Sequence, residues 1–549
     1  MNTVVRRFVQ LVYFWITCCI APLLAQVPGT MASPVSLADA SCAICHKEIF
    51  QRYLTTPMAN ASGLAVDKLE TGVYNHAPSG VTYTLLRKGN ESVLRYQDMH
   101  DSQSGKEWKL SYFLGSGHLG ITWIYASDGY LFESPVAYYA GSKSLDMKPG
   151  LEGATQTLPS LPMEAACLRC HMSGVQASDP GTLNHYNGLP FLHTGITCES
   201  CHGDTGRHVE TGGKADVINP ARLDAIRRDA VCISCHLEGD ISVEKASHAA
   251  LDYKPGAEIY DYLSYFVYQG KDANRRGVSE VEQLSLSRCK RISGDKMSCT
   301  SCHDPHYTPP MQERAVFYRR KCLACHNDAT FVSTHHSEQP DCTGCHMPAG
   351  GAENIPHVAW TDHRIRRIPD SAETIKNLGE GDELVSIFSP KATSRDLVLA
   401  YYHATLEGNI ALQEKAYSML NEIMVTLVAD KDALNALGIL SEQHQNYKQA
   451  GEIFEQVLKL DPTNLTALSN LGTLHAKIGD FPGAIAYLRP AFERNQDVVG
   501  LAKNLAQTQC IAGDPAAARA TLEKTLRLNP GLRSVQQMMA ALPSCNQGK

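Results

Sequence analysis

Cys342-Thr343-Gly344-Cys345-His346 is the stretch around which this chain is organised, because six more copies of Cys-x-x-Cys-His stand upstream of it. They comprise Cys42, Cys45 and His46; Cys167, Cys170 and His171; Cys198, Cys201 and His202; Cys232, Cys235 and His236; Cys299, Cys302 and His303; and Cys322, Cys325 and His326. Each pentad reads as a c-type haem attachment site. The spacing follows from the chemistry: two thiols must reach the two vinyl groups of one porphyrin while the adjoining imidazole turns onto the iron as its proximal ligand. A zinc site would need paired Cys-x-x-Cys units or a spaced His pair, whereas here every unit carries its own His. A disulfide framework would leave that His unexplained. Seven covalently attached haems c are therefore expected.

The 549 residues allow about three or four domains. Phe, Trp and Tyr make up only 7% of the chain, so a core of polypeptide alone would be thin in the haem region. Porphyrins would supply the missing apolar surface, and the haem-free chain is expected to fold poorly.

Arg6 and Arg7 precede an apolar run from Phe8 to Leu24 that closes near Ala25, the pattern of a secretory signal peptide over 1–25 with processing near Ala25/Gln26. A retained membrane anchor is the alternative, since the run is at the lower edge of a span. Cys18 and Cys19 raise a lipoprotein signal, against which Thr17 and the lack of a clean small-residue box argue. An exported protein, periplasmic or at the cell surface, fits the pentads, because haem is joined to thiols outside the cytoplasm. Membrane association is allowed but not required.

Formal net charge is −7, and loss of the leader with its two arginines makes it −9. Each ferric haem with two ionised propionates would add roughly one more negative charge. Such a balance excludes nucleic acid as a partner and favours a basic redox protein.

Residues 26–40 read as a linker and 41–165 as a first haem segment. Within it VTYTLLRKGNESVLRY predicts two strands around Lys88-Gly89-Asn90, and the β-branched and aromatic pattern continues to Pro135, giving a small β subdomain that separates the first haem from the rest. From 166 to 370 six pentads are so crowded that short helices and loops wrapped on porphyrins are expected; 371–396 reads as a linker.

A different rule governs the C-terminal part. Residues 397–532 repeat four times at 34 residues, the tetratricopeptide period. Small residues recur at repeat position 8 (Ala404, Gly438, Gly472, Ala506) and position 20 (Ala416, Ala450, Ala484, Ala518), where paired helices approach, and position 24 carries Leu420, Phe454, Leu488 and Leu522. Residues 533–549 read as a capping helix and tail, and Cys510 and Cys545 as a candidate disulfide. The expected fold class is mixed: a haem-dominated, mostly α and irregular multihaem cytochrome domain with a small β insertion, followed by an α-solenoid of tetratricopeptide repeats.

What fills the second face of each iron decides between wire and catalyst. Twelve His outside the pentads precede residue 370: His76, His100, His118, His185, His193, His208, His248, His306, His335, His336, His357 and His363. Met58, Met172 and Met347 are poorer candidates, and His403, His444 and His475 read as structural parts of repeat helices.

The strings CESCHGDTGRH, MSCTSCHDPH, CTGCHMP and WTDHRI resemble the multihaem cytochrome c superfamily of nitrification-type tetrahaem carriers, pentahaem nitrite reductases and octahaem hydroxylamine oxidoreductases. Over nearly its whole length the chain looks like exported multihaem cytochromes with C-terminal tetratricopeptide repeats. That resemblance implies His208, His306 and His363 as distal metal ligands that cap neighbouring haems, with His76 and one of His335 or His336 in similar roles. The chain departs from the catalytic relatives: it has no pentad with Lys in place of His and no eighth site.

The expected function is electron transfer along closely spaced haems, with the repeats docking a redox partner. The alternative is an oxidoreductase acting on a small nitrogen or sulfur compound at a haem with an open face, for which Arg288, Lys290 and Arg291 are the nearest basic groups in sequence and Cys289 a spare thiol. No catalytic residue is singled out.

Overall fold

The structure, a computed structural model, describes residues 32–99, 101–155, 160–269, 277–335, 341–352, 359–367 and 383–542. The leader expected over 1–25, His100, His336, His357 and Cys545 lie outside them. Ala32 apart, all of this belongs to one compact unit that begins at Ser33. No helix among the described residues is long and apolar enough to cross a membrane.

The β region is larger than the sequence suggests. Ten strands form one antiparallel sheet: β1 (Ser62–Leu64), β2 (Gly72–His76), β3 (Val81–Lys88), β4 (Glu91–Asp98), β5 (Asp101–Leu114), β6 (Gly120–Ser127), β7 (Tyr130–Glu133), β8 (Val136–Tyr139), β9 (Ser144–Met147) and β10 (Leu161–Pro162). The main path runs β9-β8-β6-β5-β4-β3-β2, with β1 on β5 and β7 bridging β6 to β10. Gly89 has a φ of +57° in the turn between β3 and β4, where a side chain would be strained. Trp123, Phe132, Leu94 and Met147 form its buried centre.

Between the sheet and the repeats the chain is mostly short helical turns and loops. Longer elements are α1 (Lys47–Tyr53), α2 (Ala225–His236) and α3 (Met311–Leu323), with β11 (Ile241–Glu244) and β12 (Leu263–Tyr268) pairing as a ribbon.

After β13 (Leu384–Ile387) come four antiparallel helix pairs. They are α4 (Ser394–Leu406) with α5 (Gln413–Ile423), α6 (Lys431–Gln443) with α7 (Tyr447–Leu460), α8 (Leu465–Lys477) with α9 (Phe481–Arg494), and α10 (Val499–Ile511) with α11 (Pro515–Leu528), closed by α12 (Arg533–Ala541). The repeating Ala and Leu/Phe positions named above are all fully buried. A Cβ at Gly438 would lie 2.6 Å from the Phe454 ring, so only glycine lets α6 and α7 come this close.

The solenoid is fastened to the N-terminal body at both ends. β13 adds to β12 as a third strand, and Ile241, Phe266, Val398 and Tyr401 share one core. Lys245 Nζ bonds the Asp396 carboxylate at 2.6 Å in a nearly dry site. At the far end Leu528 enters the core of the large sheet, Tyr130 donates to the Arg494 carbonyl (2.9 Å), Asn495 donates to the Gly181 carbonyl (2.8 Å) and Arg533 pairs with Asp98. The loop between α9 and α10 and the turn between α11 and α12 thus face the body.

Candidate functional site

Every pentad sits on a helical turn, which brings residues three apart to one side. His46, His202, His303 and His326 donate their backbone N–H to the carbonyl of the first Cys of their own pentad, at 2.8, 2.9, 2.9 and 3.0 Å. None of the fourteen pentad sulfurs is in a disulfide. The described residues hold one group of metal-ligating type, Asp39 with Cys42 and Cys198, and two of its three members are pentad cysteines. Four-ligand zinc sites are not found among the described residues.

Four imidazoles from pentads stand opposite a second imidazole. Ring centroids are 6.4 Å apart for His46 and His208, 6.0 Å for His202 and His306, 6.2 Å for His303 and His363, and 6.0 Å for His335 and His346. Their planes lie within 30° of parallel. Two imidazoles on one metal, each with a bond of about 2 Å and a further ~1.1 Å from nitrogen to ring centre, would have centres about 6.2 Å apart.

The hydrogen bonds at the far side of these rings agree. Nδ1 of His202 bonds the Ile218 carbonyl (2.8 Å), His208 that of Ala215 (2.7 Å), His346 that of Arg366 (2.6 Å) and His363 that of Thr361 (2.8 Å). A carbonyl only accepts, so each Nδ1 carries the proton and Nε2 keeps its lone pair, the tautomer a metal needs. Burial, aided by the neighbouring His363, holds the His303 pKa down to about 4, and burial also lowers those of His306 and His171. These rings stay neutral.

Among the described residues no second imidazole is paired with His171, His236 or His326 in this way; His336 and His357 lie outside them. His76 departs from the expectation of a ligand. It is 2% exposed, and its ring nitrogens are bonded to Ser79 Oγ (2.7 Å) and the Glu152 carbonyl (2.9 Å). It caps a turn at the end of β2. His185 pairs with Asp179, His193 bonds Ser33 Oγ, His248 lies edge-on to Tyr262, and His118 is exposed. Lys290 bonds the carbonyls of Gly294 and Met297, and Cys289 is a half-buried free thiol close to Cys302 and Cys322.

The pentads form a connected row that does not follow the sequence. Cys42 and Cys198 stand side by side, as do Cys170 and Cys235, Cys232 and Cys299, and Cys322 and Cys342. Cys201 lies near Cys235, and Cys302 near Cys325. The order is first, third, fourth, fifth, sixth, seventh, with the second beside the fourth. The β sheet therefore separates the first pentad from the others in sequence only; in space it rests on the third. Burial pushes the Cys201 thiol up to about 11, a titration that thioether formation would abolish.

Three features fit porphyrins at these turns. The Tyr253 and Tyr265 hydroxyls are buried with no hydrogen-bond partner, among Cys201, Cys232 and Cys235 and among Cys170 and Cys235 respectively. An orphaned buried hydroxyl costs about 1–3 kcal/mol, which a carboxylate on the macrocycle would offset. Second, α3 has no buried residue, leaving Met311 (77%) and Val316 (52%) exposed beside two pentads. Third, Ile44, inside the first pentad, is 82% exposed.

Comparison with known proteins bears on both halves. Residues 140–203, which include the second and third pentads, match the family of cytochrome c554 and c-prime. Residues 442–501 match a tetratricopeptide repeat. The multiheme cytochrome MtrA of Shewanella baltica (strain OS185) is 24% identical over 178 residues, 29% of this chain and 52% of MtrA, so the chain spans about half the length of this curated relative. Among solved structures, Pseudomonas aeruginosa PilF is 25% identical over 28% of this chain and 69% of its own (TM-score 0.25). YrrB, described as a tetratricopeptide protein with an unusual peptide-binding site, is 18% identical over 28% and 79% (TM-score 0.24). The chain thus combines a multihaem cytochrome-like part, which implies haem c, with a helical repeat region of the kind that generally binds proteins.

Proposed function

We propose that the chain is an exported heptahaem c-type cytochrome, periplasmic or at the cell surface, that carries electrons. The observation that carries this reading is the set of four imidazole pairs with iron-like spacing. The fourteen pentad cysteines would hold the porphyrins, with His46, His171, His202, His236, His303, His326 and His346 as proximal ligands and His208, His306, His363 and His335 as distal ones. Bound haem c supplies a one-electron site whose coordination barely changes on reduction when both axial ligands are imidazole. The protein's own part is to fix tautomers through carbonyls, to keep the rings neutral by burial, and to hold the pentads in one row. The proposed division is a leader over 1–25, a cytochrome body to about residue 370 and repeats over 397–532.

Cys510 is disulfide-bonded, which suits an oxidising compartment. The last two inter-repeat connections are taken up by the cytochrome body, so a redox partner would meet a different edge of the solenoid. Intact-mass analysis of the exported protein tests the assignment. Seven added haems, with reversible reduction of all of them, are expected; fewer than seven, or non-covalent haem, would refute it.

A further inference from the structure

Thr361-Asp362-His363-Arg364-Ile365-Arg366 follows a short hairpin, residues 349–351 paired with 359–361, that springs from the last pentad. At its end Asp362 is 1% exposed. Arg364 grips its carboxylate with Nε (3.0 Å) and a terminal nitrogen (2.9 Å), and Arg366 adds a third bond at 2.7 Å. The Asp362 backbone N–H donates to the Pro348 carbonyl at 3.0 Å. Ile365 has a φ of +50°, an unfavourable conformation for a β-branched residue, and the clamp on either side holds it there.

The clamped turn reaches two different imidazole pairs. His363 lies opposite His303 at 6.2 Å, its backbone N–H fixed by the buried Gln283 (2.8 Å) and its Nδ1 by the Thr361 carbonyl. Arg366, three residues on, accepts the Nδ1 proton of His346 through its carbonyl (2.6 Å) and returns its own N–H to the His346 carbonyl (3.1 Å). One five-residue segment therefore sets the second ligand of the fifth pentad and the tautomer of the proximal ligand of the seventh.

We propose that Asp362 is a positioning residue that couples these two sites. By fixing Arg364 and Arg366 it places His363 and the Arg366 carbonyl together, so that ligation at the fifth and seventh pentads responds to it as one unit. The inference rests on the paired-imidazole ligation proposed above. A carbonyl bonded to Nδ1 raises the basicity of the ligand; a slackened clamp weakens that bond at His346 and loosens His363.

The test uses the full-length holo-protein, with haem number by intact mass, low-temperature electron paramagnetic resonance and a potentiometric titration. Asp362→Asn is expected to keep seven haems while two of the seven signals change and two midpoint potentials rise. Arg364→Gln, a milder cut, should move the same two by less, and Asp362→Glu should restore them in part. His363→Ala should alter one signal alone. If His363→Ala changes nothing, the paired ligation itself is wrong. If it alters one signal while Asp362→Asn and Arg364→Gln leave all seven unmoved, shift only one, or shift all seven evenly, the coupling is overturned and the ligation stands.

Discussion

His202 and His306 face one another at 6.0 Å with ring planes 13° apart, although His306 follows the pentad of Cys299 and Cys302, not that of His202. Removing the second ring should open one iron face and no other. His306→Ala is expected to retain all seven haems by mass and to replace one low-spin signal by a high-spin one. His76→Ala, in the turn that Ser79 and Glu152 hold, should leave the spectrum unaltered.

Asp497 lies in the loop between α9 and α10, 4% exposed, against Asn184 of the cytochrome body and near His185 and Tyr130. Burial raises its pKa from 3.8 to about 6. A carboxyl raised in the folded state favours folding fully below its unfolded pKa and loses that contribution as pH rises through the folded value. The attachment of the repeats should therefore weaken between pH 4 and about 6 and stay weaker above. Asp497→Asn should remove this dependence and stabilise the protein at pH 7 by up to ~3 kcal/mol, read as the difference in melting temperature across pH.

Lys245 and Asp396 are 11% and 1% exposed, and their ion pair ties the body to the start of the solenoid. Lys245→Ala takes the nearer cation from a buried carboxylate that keeps Arg395 at 3.5 Å and the Thr393 N–H at 2.9 Å, so the loss should fall below the about 3–5 kcal/mol of a buried charge left with no partner. The expected readout is faster proteolysis at the start of the repeats, with the haem spectrum retained.

In the repeats, Gly472→Ala would drive a methyl group into Leu488. Overpacking of this kind costs about 1–3 kcal/mol, and thermal unfolding followed by the helical signal at 222 nm should show it.

The pentads are legible in the sequence because attachment chemistry forces their three residues together. The helical repeats are legible because each pair packs on the next at a fixed period, so Ala416, Ala450, Ala484 and Ala518 recur at one phase. Second imidazoles obey no local rule. His208 stands next to its own pentad but pairs with His46, and only resemblance to other multihaem cytochromes suggested such swaps. His76 misled because a buried His in a turn looks the same in sequence whether it meets iron or Ser79. The sheet outran the reading that ended at Pro135 because the strands beyond it are only two to four residues long, and in β8 Val136, Ala137 and Tyr139 are all buried and leave no alternation to read.

The central claim is that paired imidazoles close the iron faces of an electron carrier, and the low-temperature electron paramagnetic resonance spectrum of the oxidised holo-protein tests it most directly. At least four low-spin centres, one for each ring pair, are expected, and they should not change when a small anionic ligand is added. A spectrum dominated by high-spin iron that shifts with the added ligand would contradict the account and place a catalytic haem in its stead.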